Sequence, residues 1–506
     1  MADSKREIER KYEATAETRL PDLSRVAGVS AVVHRGVGEL DAVYYDTEDL
    51  RLAGGSVTLR RRTGGSDAGW HLKFPVSSSI RDELREPLSD TLPRSLAALL
   101  RSRVRESGLV PVVRLRTARD VHHLVGAEDA LLAEVAVDTV RADRLTGGSG
   151  TAAWTEIEVE LADDGDPAFL DLVERRLRKA GIHPSAAPSK LARALAETAP
   201  ERSGSAREKT GRPTAGDHVL AYVREQTEAI VALDPAVRRD LPDSVHQMRV
   251  ATRRLRSALR TYRKILDRDA TDPVGGELKW LAAELGIDRD QEVLDARLRA
   301  RLGDLPGTLV LGPVRGRLRI WSAARRGGSR RRTVGVLDGK RYLALLESLA
   351  ALLAAPPLLP AASRAPDRAL PRAVLKEYER LAARAGRALE LPPGHDRDLA
   401  LHDARKAAKR ARYAAEAARP ALGRPAERFA ERMKALQTLL GDHQDSVVAR
   451  DALRTLAVQA HAAGEPAFTW GLLYGREEAA AAASERELPE VWRRASRPRL
   501  RAALEG

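Results

Sequence analysis

Ionisable residues recur at every second position through the first third of the chain, and that spacing could carry chemistry. On a strand, Glu7, Glu9, Lys11 and Glu13 would share one face, leaving Ile8, Arg10 and Tyr12 on the other. The same alternation groups Arg60 with Arg62, His71 with Lys73, Arg81 with Glu83 and Arg85, and Glu134 with Asp138. Glu156, Glu158 and Glu160 form a second carboxylate ladder. Arginine and lysine bind phosphate oxygens, arginine often through a bidentate fork. Clustered carboxylates in a chain without cysteine are hard-oxygen ligands suited to Mg2+ or Mn2+. A cavity with both would hold a metal–polyphosphate complex, with water activated for attack on a terminal phosphorus.

A charged face can simply meet water. Here, however, the charge is sorted by strand: two strands are mainly acidic and several mainly basic. The opposite faces carry Val57, Leu59, Trp70, Leu72, Phe74, Val135, Val137, Ile157, Val159 and Leu161. Closing such a sheet with its charges inward would oppose an acidic wall to a basic one.

The elements that must position these residues fall into two halves. Runs at 42–45, 56–62, 69–75, 110–116, 131–140 and 155–161 read as strands, with Gly54-Gly55, Gly64-Gly65 and Gly147-Gly148 as turns. Helical patterns intervene at 92–106 and 167–180. Residues 200–216 are rich in Ser, Gly, Pro and basic residues and read as a linker. From Asp217 the period is helical, broken by prolines. The chain of 506 residues thus divides into an α+β domain at 1–199, the linker, an all-α domain at 217–490 and a basic tail at 491–506.

The first half resembles a known family. Glu7-x-Glu9-x-Lys11, Tyr44-Tyr45-Asp46-Thr47, Leu59-Arg60-Arg61-Arg62, Trp70-x-Leu72-Lys73-x-Pro75, Arg81-x-Glu83 and Glu156-x-Glu158-x-Glu160 are similar, in order, to the CYTH domain over roughly residues 5–197. This triphosphate tunnel metalloenzyme family has an antiparallel β-tunnel that hydrolyses or cyclises triphosphates with a divalent metal. The resemblance implies metal ligation by Glu7, Glu9, Glu158 and Glu160, with Glu134 and Glu156 nearby. It implies phosphate contacts from Lys11, Arg60, Arg62, Lys73, Arg116, Arg119 and Lys190, with Glu7, Glu9 and Lys11 central to catalysis. Arg10 and Arg61 fall on the faces opposite to these residues and read as solvated. His34, His122 and His123 show no paired spacing with the carboxylates and read as exposed or satisfied in the core.

The formal charge of +14 and a pI near 10.1 point to an anionic partner. Part of this charge forms a stripe. At about 100° per residue, Arg249, Arg253, Arg256 and Arg260 lie within about 80° of His246. No acid occurs from His246 to Leu266, so neighbouring cations lack the usual compensation. The motif recurs at His402, Arg405, Lys409 and Arg412, with Glu416 in the place of Arg260. Leu285-Gly286-Ile287-Asp288-Arg289-Asp290 is likewise echoed by Leu440-Gly441-Asp442-His443-Gln444-Asp445, so the helical unit is duplicated, at about 217–335 and 340–490.

The duplicated motif resembles the CHAD domain, two four-helix bundles that bind inorganic polyphosphate. That resemblance implies polyanion contacts from the two histidines and seven basic residues of the stripes. Arg325-Arg326 and Arg330-Arg331-Arg332 around Gly327-Gly328 read as a basic loop between the bundles. The combined expectation is an α+β antiparallel barrel followed by two repeated four-helix bundles. The expected activity is Mg2+- or Mn2+-dependent hydrolysis of a triphosphate, inorganic triphosphate above all, with polyphosphate held by the helices. The rival is a non-catalytic polyphosphate scaffold or phosphate sensor. Nucleic acid is disfavoured because the stripe lacks stacking aromatics. No segment has the run of apolar residues needed to span a bilayer, and a cytoplasmic place, at polyphosphate granules if anywhere special, is expected.

Overall fold

The computed structural model describes residues 3–200, 212–326 and 329–505, apart from Ser66 and Ser78. Two compact units divide at Lys209 and Thr210. Most of the expected linker lies outside the described residues, but its end is helical. A capping box between Thr214 and Asp217 starts a helix at Ala215.

The first unit is a closed antiparallel barrel of eight strands: β1 Asp3–Ala14, β2 Ala31–Asp46, β3 Thr58–Thr63, β4 Gly69–Pro75, β5 Ile80–Pro87, β6 Val110–Val125, β7 Leu131–Arg144 and β8 Thr151–Leu161. Their order around the barrel is β1-β5-β4-β3-β2-β6-β7-β8. β2 and β6 are much longer than the apolar runs at 42–45 and 110–116: the start of β2 is exposed, apolar and polar residues alike, and β6 runs on through half-buried residues to the buried Leu124 and Val125.

The barrel wears its apolar face outward, beneath helices. Trp70, Leu72 and Leu84 pack against Leu52 of α1 (Arg51–Gly54) and Leu96, Leu99 and Leu100 of α2 (Arg94–Val104). Tyr12, Val135, Ile157 and Val159 pack against Leu170, Val173 and Leu177 of α3 (Ala168–Lys179). Each such leucine or valine contributes about 1.5–3 kcal/mol of transfer free energy on burial. Strand alternation then forces the charged residues inward. One end of the interior is apolar, where Tyr44, Leu115, Val140 and Trp154 meet Leu191 and Ala194 of α4 (Lys190–Glu197).

The second unit has eleven α-helices among its described residues. The first six are α5 Ala215–Arg238, α6 Ser244–Thr261, α7 Arg268–Gly303, α8 Val314–Arg326, α9 Ser329–Asp338 and α10 Lys340–Ala354. The rest are α11 Pro366–Glu390, α12 His395–Leu422, α13 Arg424–Ala462, α14 Phe468–Ala495 and α15 Pro498–Glu505. The duplicated motifs fall on α6 and α7, then on α12 and α13. Both hydrophobic cores draw on both repeats: one runs from Ala215 to Leu504, and the other joins Leu298, Leu302 and Trp321 to Leu453, Leu456 and Trp470. Arg330, Arg331 and Arg332, expected in a loop, lie on α9. No helix among the described residues is long and apolar enough to cross a membrane.

Candidate functional site

Inside the barrel one cavity is lined by Glu7, Glu9 and Lys11 of β1, Arg60 and Arg62 of β3, Lys73 of β4, Arg119 of β6, Glu158 and Glu160 of β8, and Lys190 at the start of α4. Tyr44, Thr58, Asp67, Arg81, Arg85 and Ser189 complete it. Eight cations therefore face five carboxylates. Glu83, Asp138 and Glu156 lie just behind this lining, fully or almost fully buried.

The charges form two linked clusters. In one, Lys190 Nζ lies 2.9 Å from Asp138, 2.8 Å from Glu156 and 2.5 Å from Glu158. Arg119 bridges Asp138 and Glu158 at 2.7 Å each, and Lys11 joins Glu158 and Glu9. In the other, Lys73 bonds Glu7 at 2.5 Å and reaches Glu83 at 3.5 Å, while Arg85 contacts both carboxylates. His71 holds Glu83 from behind at 2.8 Å. These cross-links leave a cavity of only about 80 Å³.

Burial and charge oppose each other here. Burial alone would raise Glu158, but Lys11, Lys190 and Arg119 outweigh it and hold the carboxyl well below its ordinary range. Burial likewise works against the charged form of Lys190, yet Asp138, Glu158 and Glu156 push its pKa up. Glu7 goes the other way. Its burial, against the opposing pull of Lys73 and with help from Glu83 and Glu160, pushes it up to about 7. Arg62 is pushed down by burial and by the cations Arg60 and Arg119. The buried Nε groups of Arg60 and Arg62 have no hydrogen-bond partner.

The carboxylates fit a divalent cation of the hard-oxygen class. Glu7, Glu9, Glu158 and Glu160 face the cavity. Asp138, Glu156 and Glu158 each offer an oxygen within 4.8 Å of the others. That donor set is all oxygen, as Mg2+ and Mn2+ prefer.

Several expected residues fall elsewhere. Arg116 is on the outer face, half-exposed and paired with Asp143 at 3.0 Å. The strand is unbroken between positions 116 and 119, so two residues an odd number apart cannot share a face. Glu134 is not among the cavity lining; it lies 3.4 Å from His123 and half-exposed. Glu156 sits behind the lining, accepting a hydrogen bond from Trp154 Nε1 at 2.6 Å. Glu13 pairs with Arg193 of α4, outside the cavity lining. Glu83 and Asp138 were visible as alternating charges, but only the closed barrel shows them as the buried anchors of the cations.

The helical unit carries a second site. His246, Arg249, Arg253, Arg256 and Arg260 of α6 and His402, Arg405, Lys409 and Arg412 of α12 all line one groove of about 990 Å³. Among the described residues the groove adds Arg297, Lys406 and Arg410, with Asp290 and Asp445 its two carboxylates. Arg249 grips Asp290 through two bonds of 2.7 and 2.9 Å. Arg412 is partly neutralised by Glu416 at 3.4 Å and stacks on Tyr413 at 4.9 Å. Nε of Arg249 and Arg405 and Nδ1 of His402 are buried without hydrogen-bond partners. Burial and the cations Arg405, Arg253 and Arg249 push Lys409 down to about 7.

A charge-lined barrel followed by a duplicated helical unit with a basic groove defines a two-module protein. Residues 5–195 match the CYTH domain and residues 221–454 match the CHAD domain. The chain belongs to the proteins that carry a CYTH domain followed by a CHAD domain. Members of the CYTH family act as metal-dependent triphosphatases or cyclases. Two relatives from Mycobacterium tuberculosis strains, the uncharacterized proteins MT2285 and Rv2226, are each 39% identical over 489 residues, spanning 93% of this chain and 92% of theirs. Among solved structures, PptA from Streptomyces chartreusis is 22% identical, with a TM-score of 0.48, covering 56% of this chain and all of its own. The CHAD domain of Ricinus communis is 25% identical with a TM-score of 0.43, covering 58% of this chain and 92% of its own.

Proposed function

We propose that the barrel hydrolyses a triphosphate, inorganic triphosphate above all, with Mg2+ or Mn2+, and that the helical groove holds polyphosphate. One observation carries the first part: eight cations and five carboxylates converge on one cavity inside the barrel. Such a set suits a polyanion whose charge is partly offset by a divalent cation.

In the free protein each carboxylate is held by a lysine or arginine. Binding would exchange partners: Lys11, Arg60, Arg62, Lys73, Arg119 and Lys190 would turn to phosphate oxygens, releasing Glu7, Glu9 and Glu158, while Glu160 is held by Lys5 at 2.8 Å. A divalent cation bound by these carboxylates would neutralise phosphate oxygens and lower the pKa of a water. Arg60 and Arg62, side by side in the cavity lining, would orient the chain of phosphates. Glu83 and Asp138 would keep their cations in place from behind. The lining has one aromatic, Tyr44, whose hydroxyl accepts from Arg60 at 3.4 Å, so no platform for a nucleobase supports a nucleotide substrate.

Phosphate release from inorganic triphosphate should exceed that from nucleoside and thiamine triphosphates, with Mn2+ or Mg2+ present. The double substitution Glu7→Gln/Glu9→Gln should lower kcat by about a hundredfold or more while polyphosphate binding persists. Folded protein that releases no phosphate with either metal would leave a binding-only sensor.

Polyphosphate is favoured over nucleic acid for the groove because its one lining aromatic, Tyr413, is covered by Arg412 and Arg254. Stacking surfaces are what single-stranded nucleic acid uses. Competition between long polyphosphate and single-stranded DNA at fixed salt tests this, and equal affinities would remove the preference. A cytoplasmic place is part of the same proposal and is checked by fractionation.

A further inference from the structure

The outer wall of the barrel holds a second set of metal-ligating side chains, far in chemistry from the carboxylates inside. His34 of β2 is the direct register partner of His122 of β6, and their rings lie 5.0 Å apart at 36°. Asp120, two residues before His122, reaches both: Oδ1 is 2.7 Å from His34 Nε2, and Oδ2 is 3.4 Å from His122 Nε2. One ligand atom from each of the three residues lies within 4.8 Å of the others. The sequence gives no hint of this because His34 and Asp120 are remote along the chain.

The pairing depends on a bulge. Beyond it, Val37 pairs with Asp120 and Gly36 with Val121; before it, His34 pairs with His122. In an unbroken register Arg35 would stand opposite His122 and bring a positive charge into the cluster. The extra residue swings the arginine out of register, and Gly36 takes a φ of +98° to allow it. Bulges of this kind re-aim side chains next to sites.

We propose that His34, Asp120 and His122 bind one divalent ion of the zinc class on the outside of the barrel. Two imidazole nitrogens and a carboxylate oxygen suit Zn2+ or Co2+ and are a poor set for Mg2+, which takes oxygen ligands. Asp120 pairs with no lysine or arginine among the described residues, so an incoming cation meets no competitor. The other histidine cluster differs in this respect. His443 lies between Asp398 and Glu485, but those carboxylates already hold Arg450 and Arg397. The outer ion would clip the exposed start of β2 to β6, leaving coordination positions open to water.

The test uses the full-length chain without a histidine tag, dialysed against excess Mg2+ so that oxygen sites are filled. Zn2+ titration by calorimetry, with metal analysis after gel filtration, should find one ion per chain. His34→Ala/His122→Ala should lose that ion or bind it at least tenfold more weakly. Asp120→Asn, the milder change, should weaken it in the same direction. Circular dichroism confirms the fold, and phosphate release should be unchanged because none of the three residues lines the cavity. Undiminished zinc stoichiometry and affinity in the double variant, or no zinc bound by the parent chain, would overturn the proposal.

Discussion

The guanidinium of Arg249 lies across Gly286, so close that a Cβ on that residue would sit 2.9 Å from Nη2. Arg405 and Gly441 repeat the arrangement, with 3.4 Å between the corresponding atoms. The glycine in each duplicated Leu-Gly pair is thus the floor on which a groove arginine rests. Helix propensity favours Ala over Gly by about 1 kcal/mol. Gly286→Ala should therefore leave the melting temperature unchanged or slightly higher. Displacing Arg249 should weaken polyphosphate binding by about tenfold, the worth of one charge-assisted hydrogen bond. Thermal scans and binding isotherms on the same preparation separate the two effects, and unchanged affinity would refute the assignment.

Lys409 gives the groove a pH dependence. Its pKa in the folded protein is about 7, pushed down by burial and by Arg405, Arg253 and Arg249. In the unfolded chain it returns to about 10.4. Between these values the unfolded state holds more protons, so stability rises with pH across that window. A bound polyanion restores the charged form. Polyphosphate binding near pH 8 should therefore take up protons, seen as a buffer-dependent enthalpy in calorimetry. Lys409→Met should abolish the uptake.

Arg116 and Arg119 make a paired test of the barrel's inner and outer faces. Arg116 is half-exposed on the outside, where its pair with Asp143 is worth about 1 kcal/mol or less. Arg116→Ala should keep kcat/KM within about twofold. Arg119→Lys loses the fork that spans Asp138 and Glu158 and should lower kcat/KM by at least about tenfold. Similar losses in both variants would contradict the placement.

Lys190 holds three carboxylates at once. Lys190→Met leaves Asp138, Glu156 and Glu158 short of positive charge and should cost about 3–5 kcal/mol. A divalent cation can replace what the lysine supplied. Adding Mn2+ should then raise the variant's barrel melting temperature more than the parent's. Equal shifts would mean that these carboxylates do not take up the metal.

Much of the barrel was legible because alternation leaves a record in the sequence. Leu59 and Arg60, or Ile157 and Glu158, point to opposite sides of any strand. What was illegible was length at solvated ends: β2 begins at Ala31, where polar and apolar residues alike are exposed. Parity also warned against Arg116 once Arg119 was placed, provided that no bulge lay between them. The meeting of His34 with His122 was illegible for a different reason: a one-residue bulge decides who faces whom, and nothing local to His34 announces its partner.

By itself the sequence determined which residues are charged, which face of each strand or helix they occupy, and that the helical unit is duplicated. These follow from fixed periods of two and 3.6 residues. Only the tertiary structure decided that Glu83 and Asp138 anchor the cavity's cations, that both basic stripes open onto one groove, and that His34 meets His122 across the barrel wall. Barrel closure, helix packing and strand register set those juxtapositions. They arise from contacts between segments remote in the chain, which no local spacing encodes.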